Sequence, residues 1–335
     1  MLSLVIPVYK NEANIDRLLV ELVKLDAALA EPMEVVFVVD GSPDRSYDLL
    51  HEQLPALPLR AQLIRLSRNF GSFSAIRAGM AAGIGDSFAV LAADLQEPPE
   101  LIAEFASILR AGEAEIVFGY RSSRSDPWTT QLTSKAFWAL YRRFVLPDMP
   151  PGGIDVFACT RVVRDRVMAF REVDTNLIAL LFWVGYRRRF VAYDRLARLE
   201  GTSAWTLSKK IRYSVDSVFN FTDLPIRVLT YVGFFGMIAA VLLAVMIIVA
   251  KVVGAIPVPG YAPIVLTIAF FGALTSLGLG ILGQYLWLTL QNVRGRPNFI
   301  AASEERIDGT GAGDLLAPAR EPNSESRAPA ARSPR

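Results

Sequence analysis

The sequence predicts an α/β domain with a mostly parallel sheet, followed by amphipathic helices at a membrane surface and by two transmembrane helices. Three observations lead to this prediction. Apolar segments of strand length alternate with helical patterns over the first 121 residues, as in parallel sheets that are covered by helices. Polar residues collect where these strands end. In the C-terminal half, the stretches 229–250 and 262–290 contain no charged residue.

Five strands are predicted in the first part of the chain, and each is an apolar run that stops at polar or turn-forming residues. They cover 2–8, 33–39, 61–66, 88–93 and 115–120. Helical patterns fill the segments between these strands. The fourth strand is of most interest, because its apolar run ends abruptly at Asp94. Pro98 and Pro99 then suit the start of a helix, so a carboxylate is placed where a buried strand reaches the surface.

The polar residues that follow these strands are expected to meet at one edge of the sheet, because ligands of open α/β sheets bind outside the carboxyl ends of the strands. In chain order they are Tyr9, Glu12, Asp40, Asp44, Arg68, Asp94, Gln96 and Arg121. Carboxylates with an amide suit Mg²⁺ or Mn²⁺, and arginines suit phosphate oxygens. The combination indicates a metal-bound nucleotide. Neither a P-loop motif nor a G-x-G-x-x-G motif follows the first strand.

Composition excludes several classes of protein. The 335 residues are 52% hydrophobic and carry a formal charge of +2, which is too small to argue for nucleic-acid binding. The only cysteine, Cys159, excludes an intramolecular disulfide. The only histidine, His51, lies in a polar segment and is expected to be solvated. With one histidine and one cysteine, most zinc sites are excluded, as is any Ser-His or Cys-His triad that is not built on these two residues. Because the chain enters a strand pattern at once, no cleavable signal peptide is expected.

The apolar region is expected to be a membrane anchor. Two transmembrane helices are predicted within 226–292, joined by a short loop at 251–261, and amphipathic juxtamembrane helices are predicted at 201–225. Residues 302–335, which are rich in Pro, Ala, Ser, Arg and Glu, predict a disordered tail.

Charge sets the expected orientation of this anchor. A single basic residue, Lys251, lies between the two spans. The other basic residues near the spans lie before the first span or after the second: Lys209, Lys210, Arg212, Arg227, Arg294 and Arg296. The positive-inside rule therefore places the N- and C-termini and the large domain in the cytoplasm, at the inner membrane. Glycines in the second span permit close helix packing and favour a homo-oligomer.

Four motifs in the first 100 residues resemble those of a known family. IPVYKNE (6–12), VVDGSPD (38–44), LSRNFG (66–71) and AADLQEPPE (92–100) resemble, in this order and spacing, the family 2 glycosyltransferases of the Rossmann-like GT-A fold. The resemblance is closest to the polyprenyl-phosphate glycosyltransferases and extends to about residue 300. It implies a GT-A domain over 1–200. It also implies transfer of a sugar, with inversion, from a nucleoside-diphosphate donor (a UDP-sugar is favoured) to undecaprenyl phosphate, with Mg²⁺ or Mn²⁺ as cofactor.

The resemblance also implies roles for individual residues. The donor-binding residues would be Pro7, Tyr9, Glu12, Asp40, Arg68, Arg198 and Ser203. The metal ligands would be Asp94 and Gln96. The acceptor phosphate would be held by Arg121 and Arg124, and the sugar or acceptor would be oriented by Asp155. Together with Asp94, these last three residues form the candidate catalytic set.

Two positions depart from the family pattern. Val39 stands where the family usually has the first aspartate of D-D-G-S, and looser recognition of the base is the expected consequence. Ala92 stands where the family usually has the first aspartate of D-x-D, which removes a metal or ribose contact and predicts a weaker or differently completed metal site. Asp40 and Asp44 have a second interpretation, in which they only cap a turn and a helix start. Three other functions stay open at this point: a glycosyltransferase with another glycolipid acceptor, a catalytically silent membrane scaffold, and a transporter. Two spans without charge are a poor pathway for transport.

Overall fold

One mixed, mostly parallel sheet organises the N-terminal part of the chain. The computed structural model describes residues 1–121, 142, 148–150, 154–170, 176–194, 196, 224–253 and 261–308. Within these ranges the sheet has eight strands: β1 (Leu2–Val8), β2 (Met33–Val39), β3 (Ala61–Leu66), β4 (Ser87–Val90), β5 (Ile116–Arg121), β6 (Val156–Thr160), β7 (Arg188–Tyr193) and β8 (Ala301–Ile307). The predicted α/β class is confirmed.

Helices connect most of these strands. The described helices are α1 (Ile15–Ala28), α2 (Ser46–Gln53), α3 (Ser72–Ala82), α4 (Glu100–Arg110), α5 (Arg161–Ala169), α6 (Leu177–Trp183), α7 (Leu224–Val252) and α8 (Tyr261–Arg294). Strands β1 to β3 have the predicted bounds. Strand β4 ends at Val90 and is shorter than predicted, because the chain turns at Ala93 and Asp94. Leu95 then has a φ of 50°, which lies outside the range of β-strands.

The order of the strands brings several chain segments to one edge. It runs β7-β5-β6-β4-β1-β2-β3-β8, and only β6 and β8 run antiparallel to their neighbours. The carboxyl ends of the parallel strands therefore share one edge of the sheet, and the start of the reversed strand β6 lies at that same edge. Asp155, which immediately precedes β6, reaches the edge through this reversal.

Two apolar layers cover the sheet, one on each face. Helices α1, α2 and α4 pack on one face around buried residues such as Leu18, Leu50 and Phe105. Helices α3, α5 and α6 pack on the other face. Burial of each large apolar side chain stabilises the fold by about 1.5–3 kcal/mol. This burial holds the strand ends, and so the loops of the candidate site, in fixed relative positions.

Strand β8 corrects the prediction that residues 302–335 form a disordered tail. Residues 301–307 instead pair antiparallel with β3, and residues 309–335 lie outside the described residues. The segment is polar but alternates, with Ser303, Glu305 and Ile307 at least partly buried and the residues between them exposed. This alternation of buried and exposed side chains is typical of an edge strand. The prediction of disorder was based on composition, which carries no information about such alternation.

Two long helices lie in the predicted membrane region. Helix α7 spans 29 residues and α8 spans 34 residues. Within the described part of the chain, one segment, Phe270–Arg294, is long and apolar enough to cross a membrane, and it is not buried against the rest of the protein. The structure thus supports one candidate span. The predicted amphipathic segment lies outside the described residues from 201 to 223, and residues 254–260 of the predicted loop do so as well.

Candidate active site

The first two loops at the carboxyl edge are joined by hydrogen bonds. The Glu12 N–H donates to Oδ2 of Asp44 at 3.1 Å, and Glu12 Oε2 in turn accepts from the Arg45 N–H at 2.9 Å. The Lys10 N–H donates to Ser42 Oγ at 2.8 Å, and Lys10 has a φ of 56°, which a non-glycine residue seldom adopts. Glu12 therefore ties the loop after β1 to the loop after β2, and this strained backbone leaves the neighbouring Tyr9 ring partly exposed at the edge.

Asp44 acts as a local cap. Its carboxylate accepts from the Ser42 and Ser46 hydroxyls at 2.5 and 3.0 Å and from the Ser46 N–H, at the first residue of α2, at 3.3 Å. Burial disfavours the charged carboxylate, but these hydrogen bonds outweigh burial and hold the pKa of Asp44 below its ordinary value. This geometry matches the capping interpretation of Asp44.

Asp40 holds the loop that carries Arg68. Its two carboxylate oxygens accept from the Phe70 and Gly71 N–H groups at 2.7 and 2.8 Å, and the side chain is buried. Burial raises the pKa of Asp40 in spite of these bonds. The Arg68 guanidinium lies 4.2 Å from the centre of the Phe70 ring. Asp40 thus positions the predicted donor-binding arginine, and direct contact between Asp40 and the donor stays a prediction.

The loop after β4 carries the predicted metal ligands. Asp94 is partly buried, whereas Gln96 and Glu97 are buried, and the buried Leu95 side chain anchors the turn between them. The described residues contain no group of three His, Cys, Asp or Glu side chains that could hold a metal. One carboxylate and one amide nevertheless fit Mg²⁺, which binds few protein ligands and usually shares its coordination with substrate phosphates.

Arg121 and Asp155 form an ion pair at the same edge. Arg121 Nε lies 2.5 Å from Asp155 Oδ2, and an Nη of Arg121 lies 2.9 Å from Oδ1. Both side chains keep some exposure, at 20% and 28%. Burial would lower the pKa of Arg121, but the carboxylate more than compensates, so the pKa is raised and the guanidinium stays charged. The two predicted acceptor residues therefore form one unit before any ligand binds.

Tyr193 and Glu97 belong to the same corner, although neither is among the predicted site residues. The Tyr193 hydroxyl donates to Asp155 Oδ2 at 3.0 Å, and Tyr193 is the register partner of Arg121 across β5 and β7. Burial, and then the negative charges of Asp155 and Glu97, raise the pKa of Tyr193, so its phenol stays protonated. Strand β7 begins with two arginines and ends at Tyr193. A polar side chain at the end of this strand is the feature of the sequence that could have indicated a site residue.

The loop after β4 lies between the loops after β1 to β3 and the corner of Arg121, Asp155 and Tyr193, because β4 lies between β6 and β1 in the sheet. The Leu196 N–H, three residues beyond β7, donates to the Gln96 carbonyl oxygen at 2.9 Å. The structure therefore brings the loop of Asp94 next to the corner of Arg121 and Asp155. Of the predicted donor residues, Pro7 lies near the end of β1, and Tyr9, Glu12, Asp40 and Arg68 follow at the same edge. Arg124, Arg198 and Ser203 lie outside the described residues.

Known proteins resemble this chain over most of its length. The family model described as glycosyl transferase family 2 matches residues 3–170. An uncharacterized glycosyltransferase of Synechocystis is 32% identical over 302 residues, which are 90% of this chain and 94% of that protein. A prophage-derived bactoprenol glucosyl transferase of Shigella flexneri is 29% identical over 306 residues, which are 91% and 98% of the two chains.

A solved structure gives a more distant comparison. Glucosyl-3-phosphoglycerate synthase from Mycobacterium tuberculosis, solved with Mn²⁺, UDP-glucose and phosphoglyceric acid, has 16% identity and a TM-score of 0.46 over 65% of this chain and 77% of that one. The family assignment therefore depends on the family model and on the curated relatives, which cover nearly all of this chain. On that basis the chain belongs to glycosyl transferase family 2.

Proposed function

We propose that this protein transfers a sugar from a nucleoside-diphosphate donor, with a UDP-sugar favoured, to undecaprenyl phosphate at the cytoplasmic side of the inner membrane. The observation that carries the proposal is the Arg121–Asp155 pair beside the loop of Asp94. A charged guanidinium suits an acceptor phosphate, and the neighbouring loop suits a donor diphosphate. Relatives named bactoprenol glucosyl transferase align with about nine tenths of this chain, which supports a polyprenyl-phosphate acceptor.

Strand β8 supports a membrane hairpin with two spans. The chain enters α7 after β7 and leaves α8 into β8, and β7 and β8 belong to the same sheet. A sheet cannot have strands on both sides of a bilayer, so the intervening segment must cross an even number of times. Since Phe270–Arg294 has the length and apolarity of one span, α7 is the natural second span. With two crossings both termini lie on the same side of the membrane, which the flanking basic residues place in the cytoplasm.

The membrane helices also support association of several copies. In the described structure, a Cβ built on Gly272, Gly280 or Gly283 would meet no atom within 4 Å, while one on Gly278 would lie 3.5 Å from Leu229. One face of α8 thus packs on α7, and another presents backbone that no described residue covers. Small residues let helices approach closely in lipid. A homo-oligomer with α8 at its contacts is part of the proposal.

The donor would lie along the loops after β1 to β4. Tyr9 offers a partly exposed ring for the base, and Arg68 offers a charge for the diphosphate. Asp94 and Gln96 would hold Mg²⁺ or Mn²⁺. When bound, the metal would supply positive charge that stabilises the leaving nucleoside diphosphate. The hydrogen bonds of Glu12 and Asp40 hold the loops after β1 to β3 in place, so little ordering of these loops is needed when the donor binds.

The acceptor needs placement more than it needs a strong base. A phosphate monoester has a second pKa of about 6, so its oxygen is already a competent nucleophile near neutral pH. That oxygen forms a bond to the anomeric carbon while the bond from this carbon to the donor phosphate oxygen breaks, and the configuration inverts. Arg121 would hold the phosphate, with Arg124 as the expected second arginine. Asp155, which accepts two hydrogen bonds from Arg121, orients that guanidinium and the groups beside it.

The proposal is tested by a transfer assay with UDP- and GDP-sugars, undecaprenyl phosphate, and Mg²⁺ or Mn²⁺. Asp94→Asn should lose most of the transfer while its melting temperature stays unchanged. Asp48→Asn, which alters an exposed carboxylate on α2, is the matched control and should transfer normally. Full turnover by Asp94→Asn would refute the metal assignment. Transfer only to another glycolipid would refute the acceptor, and failure to turn over any nucleotide sugar would favour a scaffold.

A further inference from the structure

The hydroxyl of Tyr193 makes a third hydrogen bond to a carboxylate that Arg121 already holds. Asp155 Oδ2 receives Arg121 Nε and the Tyr193 hydroxyl, and Oδ1 receives an Nη of Arg121. With bonds from Arg121 alone, the carboxylate is held only by a long and flexible side chain. The bond from Tyr193, which comes from a different strand, removes this freedom.

The Tyr193 ring is itself firmly placed. It belongs to the core cluster that includes Val191 on the same strand, and only 5% of the residue is exposed. Its backbone is in register with Arg121, so strand pairing fixes the two residues relative to each other. A buried phenol needs a hydrogen-bond partner, and Asp155 supplies it. A rigid part of the sheet is thereby connected to the carboxylate that orients the arginine.

We propose that Tyr193 is a positioning residue that acts through Asp155 to aim the free side of the Arg121 guanidinium at a phosphate. A guanidinium has five N–H donors; two of them point at Asp155, and the Tyr193 side chain also contacts the guanidinium, so the remaining donors are those that another anion would meet. The phosphate is identified as that of the acceptor only through the proposed function. The positioning effect of Tyr193 on an anion at Arg121 does not depend on which phosphate compound is the acceptor.

The test is a double-mutant cycle in the full-length protein in detergent. Tyr193→Phe keeps the buried ring and removes only the hydroxyl, and it is combined with Asp155→Asn. The first measurement is the Kd of inorganic phosphate with UDP at saturation, so that the donor side is already filled. The second is the KM and kcat for undecaprenyl phosphate. Tyr186→Phe, which alters a partly buried tyrosine elsewhere in the same chain segment, is the matched control.

Loss of one hydrogen bond to a charged group predicts that Tyr193→Phe raises the phosphate Kd and the acceptor KM about tenfold, with the donor KM unchanged. In the Asp155→Asn background the same change should have a clearly smaller effect, because the Tyr193 hydroxyl donates to that carboxylate, while the direct contact of Tyr193 with Arg121 remains. Tyr186→Phe should change neither quantity. Additive effects in the cycle, or an unchanged phosphate Kd in Tyr193→Phe, would overturn the inference. If the wild type binds phosphate as expected but never glycosylates undecaprenyl phosphate, the proposed function fails while the cycle still decides the role of Tyr193.

Discussion

Glu305 is predicted to fasten the strand that follows the last helix to the rest of the sheet. Glu305 Oε1 accepts from the Tyr47 hydroxyl at 2.6 Å, and Oε2 lies 2.8 Å from His51 Nδ1. Tyr47 also stacks on His51, with ring centres 5.9 Å apart, and lies under the Arg65 guanidinium at 4.9 Å. His51 is thus half exposed, as a solvated residue would be, yet it is also paired. Replacing Glu305 with alanine removes both contacts from α2.

The expected magnitude follows from the exposure of each partner. The Tyr47 hydrogen bond to a carboxylate that is only 22% exposed contributes about 1–1.5 kcal/mol. The His51 side chain is 52% exposed, so its contact is screened and contributes at most about 0.5 kcal/mol. The sum of about 1.5 kcal/mol corresponds to about a tenfold increase in the population with β8 detached. Strand pairing with β3 is unaffected by the substitution, so β8 should still be attached for most of the time.

Amide hydrogen exchange of the full-length protein in detergent measures this opening directly. The peptide that covers 301–307 should exchange about tenfold faster in Glu305→Ala, while peptides from β1 should keep their wild-type rates. Glu304→Ala is the matched control, because Glu304 neighbours Glu305 on the same strand and is exposed. Equal exchange of β8 in Glu305→Ala and wild type, or an equally large effect of Glu304→Ala, would refute the reasoning.

Three further predictions concern the loops of the site. Gly41 has a φ of 56°, and a Cβ there would lie 2.3 Å from the Arg68 carbonyl carbon. Gly41→Ala should therefore lower the melting temperature by several degrees and weaken UDP binding. An unchanged melting temperature would contradict this prediction. The pKa of Asp44 is lowered from 3.8, so its stabilising contribution is complete above that pH and is lost as the pH falls through the folded-state pKa. In acid unfolding, the difference between Asp44→Asn and wild type should consequently shrink below about pH 4, and a constant difference would count against the cap. Ala92 is partly buried and lies two residues before Asp94. Ala92→Asp should therefore lower the Mg²⁺ or Mn²⁺ concentration that is needed for half-maximal transfer, as measured by a metal titration. An unchanged concentration would mean that position 92 does not face the metal.

The sequence could predict the parallel half of the sheet but not the reversed strands. Buried parallel strands are continuous apolar runs bounded by turns, which is why β1 to β3 have the predicted bounds. The short run before Thr160 looks the same in either direction, so its antiparallel pairing could not be predicted. The pairing of Arg121 with Asp155 joins residues 34 apart in the chain and depends on that reversal. Strand β8 is polar, and residues of α2, which is distant in the sequence, stabilise it. These contacts cannot be predicted from the local sequence of β8.

The site consequently has two parts with different origins in the fold. The proposed donor loops follow parallel strands, and hydrogen bonds between loops, such as those of Glu12 and Asp40, hold them in place. The Arg121–Asp155 corner depends on β5, β6 and β7, and contacts across strands hold it. The loop after β4 touches the Arg121–Asp155 side of the edge, where the Gln96 carbonyl oxygen accepts from the Leu196 N–H. A change in the proposed donor loops is therefore expected to alter which nucleotide sugar binds without moving the Arg121–Asp155 corner.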